Sequence, residues 1–169
     1  MGRLSLVILI VLTTAASAQQ PQTWRVQESR APNDSVTEVT LLLGADSEIQ
    51  TRGGPVRPTL MVRCTEGRTE LGVYTGPYQP SATHRQSVRY RLDRSAPVVA
   101  EWNESQGYRA LFHPHPRFLL FDVAIARVML FEFTDYEGAR VLVTFPTAGL
   151  REHLPRVARA CGWENELPN

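Results

Sequence analysis

Short runs in which apolar and polar residues alternate recur between residues 37 and 145, the period-two pattern of strands that bury one face. Residues 37–43 place Val39, Leu41 and Leu43 on one side. Residues 59–64 place Leu60, Val62 and Cys64 on one side, with Thr59 and Arg63 on the other. Thr65, Glu66, Gly67 and Arg68 make a hairpin turn, the glycine supplying a positive φ, and the chain returns through Leu71, Val73 and Thr75. In residues 85–93, Val88, Tyr90 and Leu92 point one way, while Arg85, Ser87, Arg89, Arg91 and Asp93 point the other. A turn at 93–97 leads to a strand with Val98, Ala100 and Trp102 inward. Residues 127–134 are apolar on both faces, as in a central strand, and Asp135 to Gly138 turns them back through Val141, Val143 and Phe145. Turns about every ten residues indicate an antiparallel β-sandwich or small barrel.

Two segments lack alternation. Pro116 opens a helical stretch over 116–124, because its missing N–H is unneeded in a first turn. Residues 147–161 carry Leu150, Leu154, Val157, Ala158 and Cys161 at helical spacing, with Thr147 as the expected N-cap. Pro155 lies inside that helix at a cost of about 3 kcal/mol, so a kink or two short pieces is expected there. The fold class is therefore mainly β (α+β), with a short mid-chain helix and a C-terminal helix. A single domain over 19–169 is expected, its polar lead-in (19–36) anchored by Trp24.

At 169 residues and 43% hydrophobic, the chain can bury one core without metals, and it is neither disordered, collagenous nor a polytopic membrane protein. Every basic residue is Arg, and the formal net charge is +1. That balance gives no reason to expect a nucleic-acid partner or an anionic membrane.

The first 18 residues read as a cleaved secretory signal peptide. Arg3 is a basic start, residues 4–12 are almost wholly apolar, and Ala16, Ser17 and Ala18 offer the small residues a signal peptidase reads. The apolar run is too short to span a bilayer, and no later run reaches about 18 uninterrupted apolar residues. The mature chain is expected to begin at Gln19, soluble, and periplasmic or secreted.

Cys64 and Cys161 are the only cysteines, and both fall on inferred core faces. In an oxidising compartment they allow a single pairing, the rival being two buried free thiols. No CxxC is present, and neither cysteine lies beside a His to make a catalytic thiol. His113 and His115, in a His-Pro-His-Pro stretch, share a side of an extended chain, but zinc needs at least a third ligand and none is near in sequence. No GxSxG surrounds a serine, Gly53-Gly54-Pro55 is a turn rather than a phosphate cradle, and no carboxylate pair stands out. Arg85, Arg89 and Arg91 form the one distinctive stripe, able to read an acidic partner bidentately or to lie as a solvated sheet face beside Asp93 and Glu101.

The order of these features carries a resemblance. Trp24 precedes Asp34-Ser35-Val36-Thr37 and a hydrophobic strand, and Pro58-Thr59-Leu60-Met61-Val62-Arg63-Cys64 follows. Then come Val88-Arg89-Tyr90-Arg91-Leu92-Asp93 and Glu101-Trp102-Asn103-Glu104-Ser105. The end reads Val143-Thr144-Phe145-Pro146-Thr147-Ala148-Gly149-Leu150 and Ala160-Cys161-Gly162-Trp163. Over nearly the whole mature chain this resembles the VasI/TagO family of periplasmic proteins associated with bacterial type VI secretion. Pro146, Thr147, Pro155 and the His-Pro-His-Pro stretch depart from the family pattern. The resemblance implies a non-enzymatic accessory role, with an envelope or secretion-apparatus protein as partner, no cofactor and no catalytic residues. The competing expectation is a secreted metal-binding protein or hydrolase using His113 and His115.

Overall fold

The computed structural model describes residues 22–30 and 37–167. The expected leader, residues 1–18, lies outside the described residues, as do residues 31–36 of the lead-in. The strands are β1 (Arg25–Arg30), β2 (Thr37–Gly44), β3 (Ile49–Thr51), β4 (Gly54–Val56), β5 (Thr59–Thr65), β6 (Arg68–Tyr74), β7 (Arg85–Leu92), β8 (Val98–Glu104) and β9 (Ala110–Phe112). Helix α1 (Pro116–Ile125) follows, then β10 (Met129–Thr134), β11 (Arg140–Phe145), α2 (Leu150–Ala160) and a 3-10 turn at Glu164–Glu166.

Nine strands form one antiparallel sheet in the order β1-β2-β5-β6-β9-β8-β7-β10-β11, and β3 pairs with β4 as a separate hairpin. The alternation explains the strands: in β5 the order is Leu60, Val62 and Cys64 buried, with Met61 and Arg63 between them half-exposed. The β5–β6 hairpin turns at Glu66 and Gly67, both at positive φ (52° and 70°), a twist that matches the flanking strands. Leu41, Leu43, Leu60 and Val62 from one half of the sheet join Trp102, Met129, Phe131, Val143 and Phe145 from the other in a single core. The sheet therefore curls. Its curl brings the Asp46 N–H, just beyond β2, within 2.9 Å of the Thr144 carbonyl on the edge strand β11. The result is a mainly antiparallel, sandwich-like β fold with one mid-chain and one C-terminal helix. Leu119, Leu120, Val123 and Ala124 seat α1 against β6, while Leu150, Leu154, Val157 and Ala158 seat α2 over β2 and β5.

Several local expectations need correction. The lead-in contains a strand, β1, which pairs along its length with β2. Thr147 does not cap α2: it is buried, its hydroxyl donates to the Ala126 carbonyl at 2.9 Å, and the N-cap is Gly149 at φ 90°. The hydroxyl is spent on a tertiary contact, and the left-handed turn needs a residue without a Cβ. The α2 segment is one helix that keeps Pro155 inside, rather than two pieces. Val98, expected inward, is exposed, because it sits at the mouth of β8 past the end of the core.

Cys64 and Cys161 are bridged, with Cα atoms 5.7 Å apart and 97 positions between them. The bond fastens the C-terminal end of α2 to the wholly buried side of β5.

Candidate protein-binding face

β7 lies between β8 and β10, so its outward residues form the middle row of a four-strand face completed by β11. Strand geometry sets Arg85, Ser87, Arg89 and Arg91 on that face, because their neighbours Gln86 and Val88 are buried and Tyr90 is half-buried. Arg89 stands opposite Val99 of β8 and Glu132 of β10. Glu132 in turn stands opposite Leu142 of β11. Arg91 is opposite Leu130, and Arg85 is opposite Asn103. Val99 and Leu142 are 68% and 59% exposed, so the arginines stand between two uncovered apolar side chains.

The charges on this face do not cancel locally. Glu132 gives its carboxylate to Arg140 at 2.8 Å, and its side chain is only 20% exposed. Of the two expected acidic neighbours, Glu101 stands outward on β8 opposite Ser87, exposed and making no ion pair with the arginines. Asp93 turns away: its Oδ1 accepts from the backbone N–H groups of Arg127 and Val128 at 3.0 and 2.9 Å. Among the described residues, Arg85, Arg89 and Arg91 have no ion pair and no side-chain hydrogen bond. The Nε of Arg91 is moreover buried without an acceptor. Two shallow grooves flank the Arg89–Glu132 position. One, of about 180 Å³, is lined by Arg89, Arg91, Pro97, Leu130, Glu132 and Leu142 together with Tyr90. The other, of about 140 Å³, runs past Ser87, Val99, Thr134 and Arg140. Underneath, the Tyr90 ring meets Trp102 edge-on with centroids 6.2 Å apart, and burial, with the charge of Asp122 adding to it, pushes its phenol above the usual tyrosine value.

The histidine pair is built differently. His113 packs edge-on against Trp102, and its Nδ1 accepts the backbone N–H of His115 at 3.0 Å. Burial pulls its imidazole below the ordinary histidine pKa. One ring nitrogen is thus occupied by the chain itself, and the two rings lie at 71° with centroids 6.5 Å apart. Among the described residues no group of three or more His, Cys, Asp or Glu is placed to hold a metal ion. His115 instead lines a groove of about 440 Å³ with Pro116, Arg117, Phe118, Cys161 and Trp163.

The alternation in residues 85–93 sets the arginines on one face of β7 but does not show what surrounds them. Val99, Leu130, Glu132 and Leu142 complete the face, and the same alternation that placed the arginines on β7 places Leu130 and Glu132 outward on β10. The engagement of Glu132 by Arg140 is a cross-strand contact with no signal in local sequence.

No helix among the described residues is long and apolar enough to cross a membrane. No family model matches the chain, and no curated protein does. Among solved structures it is similar to the crystal structure of invasion associated protein B from Bartonella henselae, with a TM-score of 0.53 and 9% identity, over 83% of this chain and 94% of that one. At that identity the likeness is one of fold.

Proposed function

We propose that this chain is an exported, non-enzymatic accessory protein of the bacterial cell envelope that binds a protein partner through the outward face of β7. The observation that carries the reading is the set of three arginines, Arg85, Arg89 and Arg91, unpaired among the described residues and set beside exposed Val99 and Leu142. Arginine is enriched at binding hot spots, and Val99 and Leu142 beside the arginines offer apolar surface for a partner to cover. Export is supported by the signal pattern of residues 1–18 and by the Cys64–Cys161 bridge, which suits an oxidising compartment. The resemblance to VasI/TagO proteins makes a periplasmic component of type VI secretion the leading identity of the partner system. No cofactor enters this role.

The test is photo-cross-linking in the native host. A photoreactive residue in place of Ser87, in the middle of the face, is expected to capture one envelope protein, whereas the same residue at Arg151 on the exposed side of α2 is not. Identical adducts from both positions, or none from Ser87, would refute the reading.

A further inference from the structure

We infer that the groove beside Arg89 and Arg91 is a carboxylate-reading site for an extended acidic peptide segment of the partner, an assignment that rests on the binding face proposed above. Residues two apart on a strand stand about 6.6 Å from each other on one side, so the two guanidiniums border the same groove. Glu132 is engaged by Arg140 and Asp93 by the backbone of Arg127 and Val128, while the exposed Glu101 stands opposite Ser87, on the side away from Arg91. The Arg91 Nε–H is shut away from solvent with no acceptor, although a guanidinium reads a carboxylate most tightly through parallel N–H donors. A carboxylate seated in the groove meets the Arg91 Nη groups, and supplies the missing acceptor once the side chain turns its Nε–H outward.

The walls select the rest of the ligand. Leu130, Leu142 and Pro97 line the same groove, so the acid arrives next to an apolar side chain. At about 180 Å³ the groove is smaller than the roughly 300–1,000 Å³ of sites that enclose small molecules, and it holds one or two side chains. The second groove continues from Arg89 along the same strands, which suits a chain lying extended. Glu132 sets the register, because a carboxylate at its end of the groove meets like charge while one at the Arg91 end does not. With a net charge of +1 and apolar groups bordering the arginines, the face suits a peptide rather than a nucleic acid or a lipid surface.

The experiment is a titration of ¹⁵N-labelled mature protein, followed at the arginine Nε–H resonances, with two synthetic peptides, acetyl-Gly-Leu-Asp-Leu-Gly-amide and its Asn counterpart. The Asp peptide is expected to shift the Arg91 resonance and to bind at least tenfold more tightly than the Asn peptide. Arg91→Lys, which keeps the charge and removes the fork, is expected to lose about tenfold, while Arg151→Ala on the exposed side of α2 changes affinity less than twofold. Should Arg91→Lys fail to fold, Arg89→Lys carries the same expectation. Equal binding of the two peptides overturns the assignment, as does saturation of the same resonance by inorganic phosphate or by phosphatidylglycerol vesicles. If Ser87 still cross-links an envelope protein while the Asp peptide fails, the carboxylate assignment falls and the binding face stands. If both fail, both fall.

Discussion

The indole N–H of Trp24 donates to the carbonyl oxygen of Thr147 at 3.2 Å, a buried contact between residues 123 positions apart. Through it the start of the described chain is tied to the approach to α2, beside Gly149, where an added Cβ would lie 3.8 Å from that indole. Trp24→Phe is expected to lower stability by about 1 kcal/mol, the worth of one hydrogen bond, because Thr147 still accepts the Leu150 N–H. Trp24→Ala is expected to cost about 3–5 kcal/mol, since it also empties the site. Urea denaturation of the two variants checks this, and equal losses would mean that the ring's packing contributes nothing beyond the hydrogen bond.

Reduction of the Cys64–Cys161 bond is expected to lower unfolding free energy by about 2–5 kcal/mol, given the long loop it closes. Denaturation with and without reductant measures it. Thiol labelling of the oxidised, denatured protein should find neither cysteine free.

His113 gives the protein an acid-side weakness. Its imidazole is half-buried against Trp102 and is held below the ordinary value of 6.5 chiefly by desolvation. The unfolded chain therefore binds a proton at higher pH than the folded one. The stability His113 supports is present above about pH 6.5 and falls as pH drops through the depressed value. Replacing His113 by Gln should flatten the stability–pH curve on that side, and an unchanged slope would assign it to other groups.

The double variant Arg85→Ala/Arg89→Ala is expected to weaken partner binding by about 2 kcal/mol or more, as hot-spot truncations do. Stability should move by less than about 1 kcal/mol, since both side chains are exposed. Calorimetry on the partner captured through Ser87, paired with thermal unfolding, separates the two effects.

Mature protein from the envelope fraction is expected to begin at Gln19. Intact-mass spectrometry reads this directly, and exported material that still carries Met1 would remove the cleaved leader from the account.

Legibility followed burial. Strands β2, β5, β7, β10 and β11 were readable because each buries one face, so their buried residues fall on alternate positions even where, as at Leu130 and Leu142, the outer face also carries an apolar residue. Strand β1 was not, because Arg25–Arg30 is an edge strand whose described side chains are mostly exposed, with only Val26 packed against the core. Strand β9 is three residues long and owes its existence to the strands on both sides of it, β6 and β8. The arginine stripe could be placed from spacing alone. The turning of Asp93 and Glu132 to other partners could not, because those partners lie 34 to 35 and 8 positions away.

Helix α2, which covers β2 and β5, is the last α-helix among the described residues, and the cysteine that locks it there follows immediately. In order of synthesis, strands β1 to β6 emerge with their apolar side uncovered by α2, and Cys64 waits 97 positions for its partner. Covering of this half of the sheet thus waits on α2. A chain cut before Leu150 should fail to form a smaller stable unit, and a slow or stalled passage of the final segment leaves an open sheet and a free thiol in the same molecule.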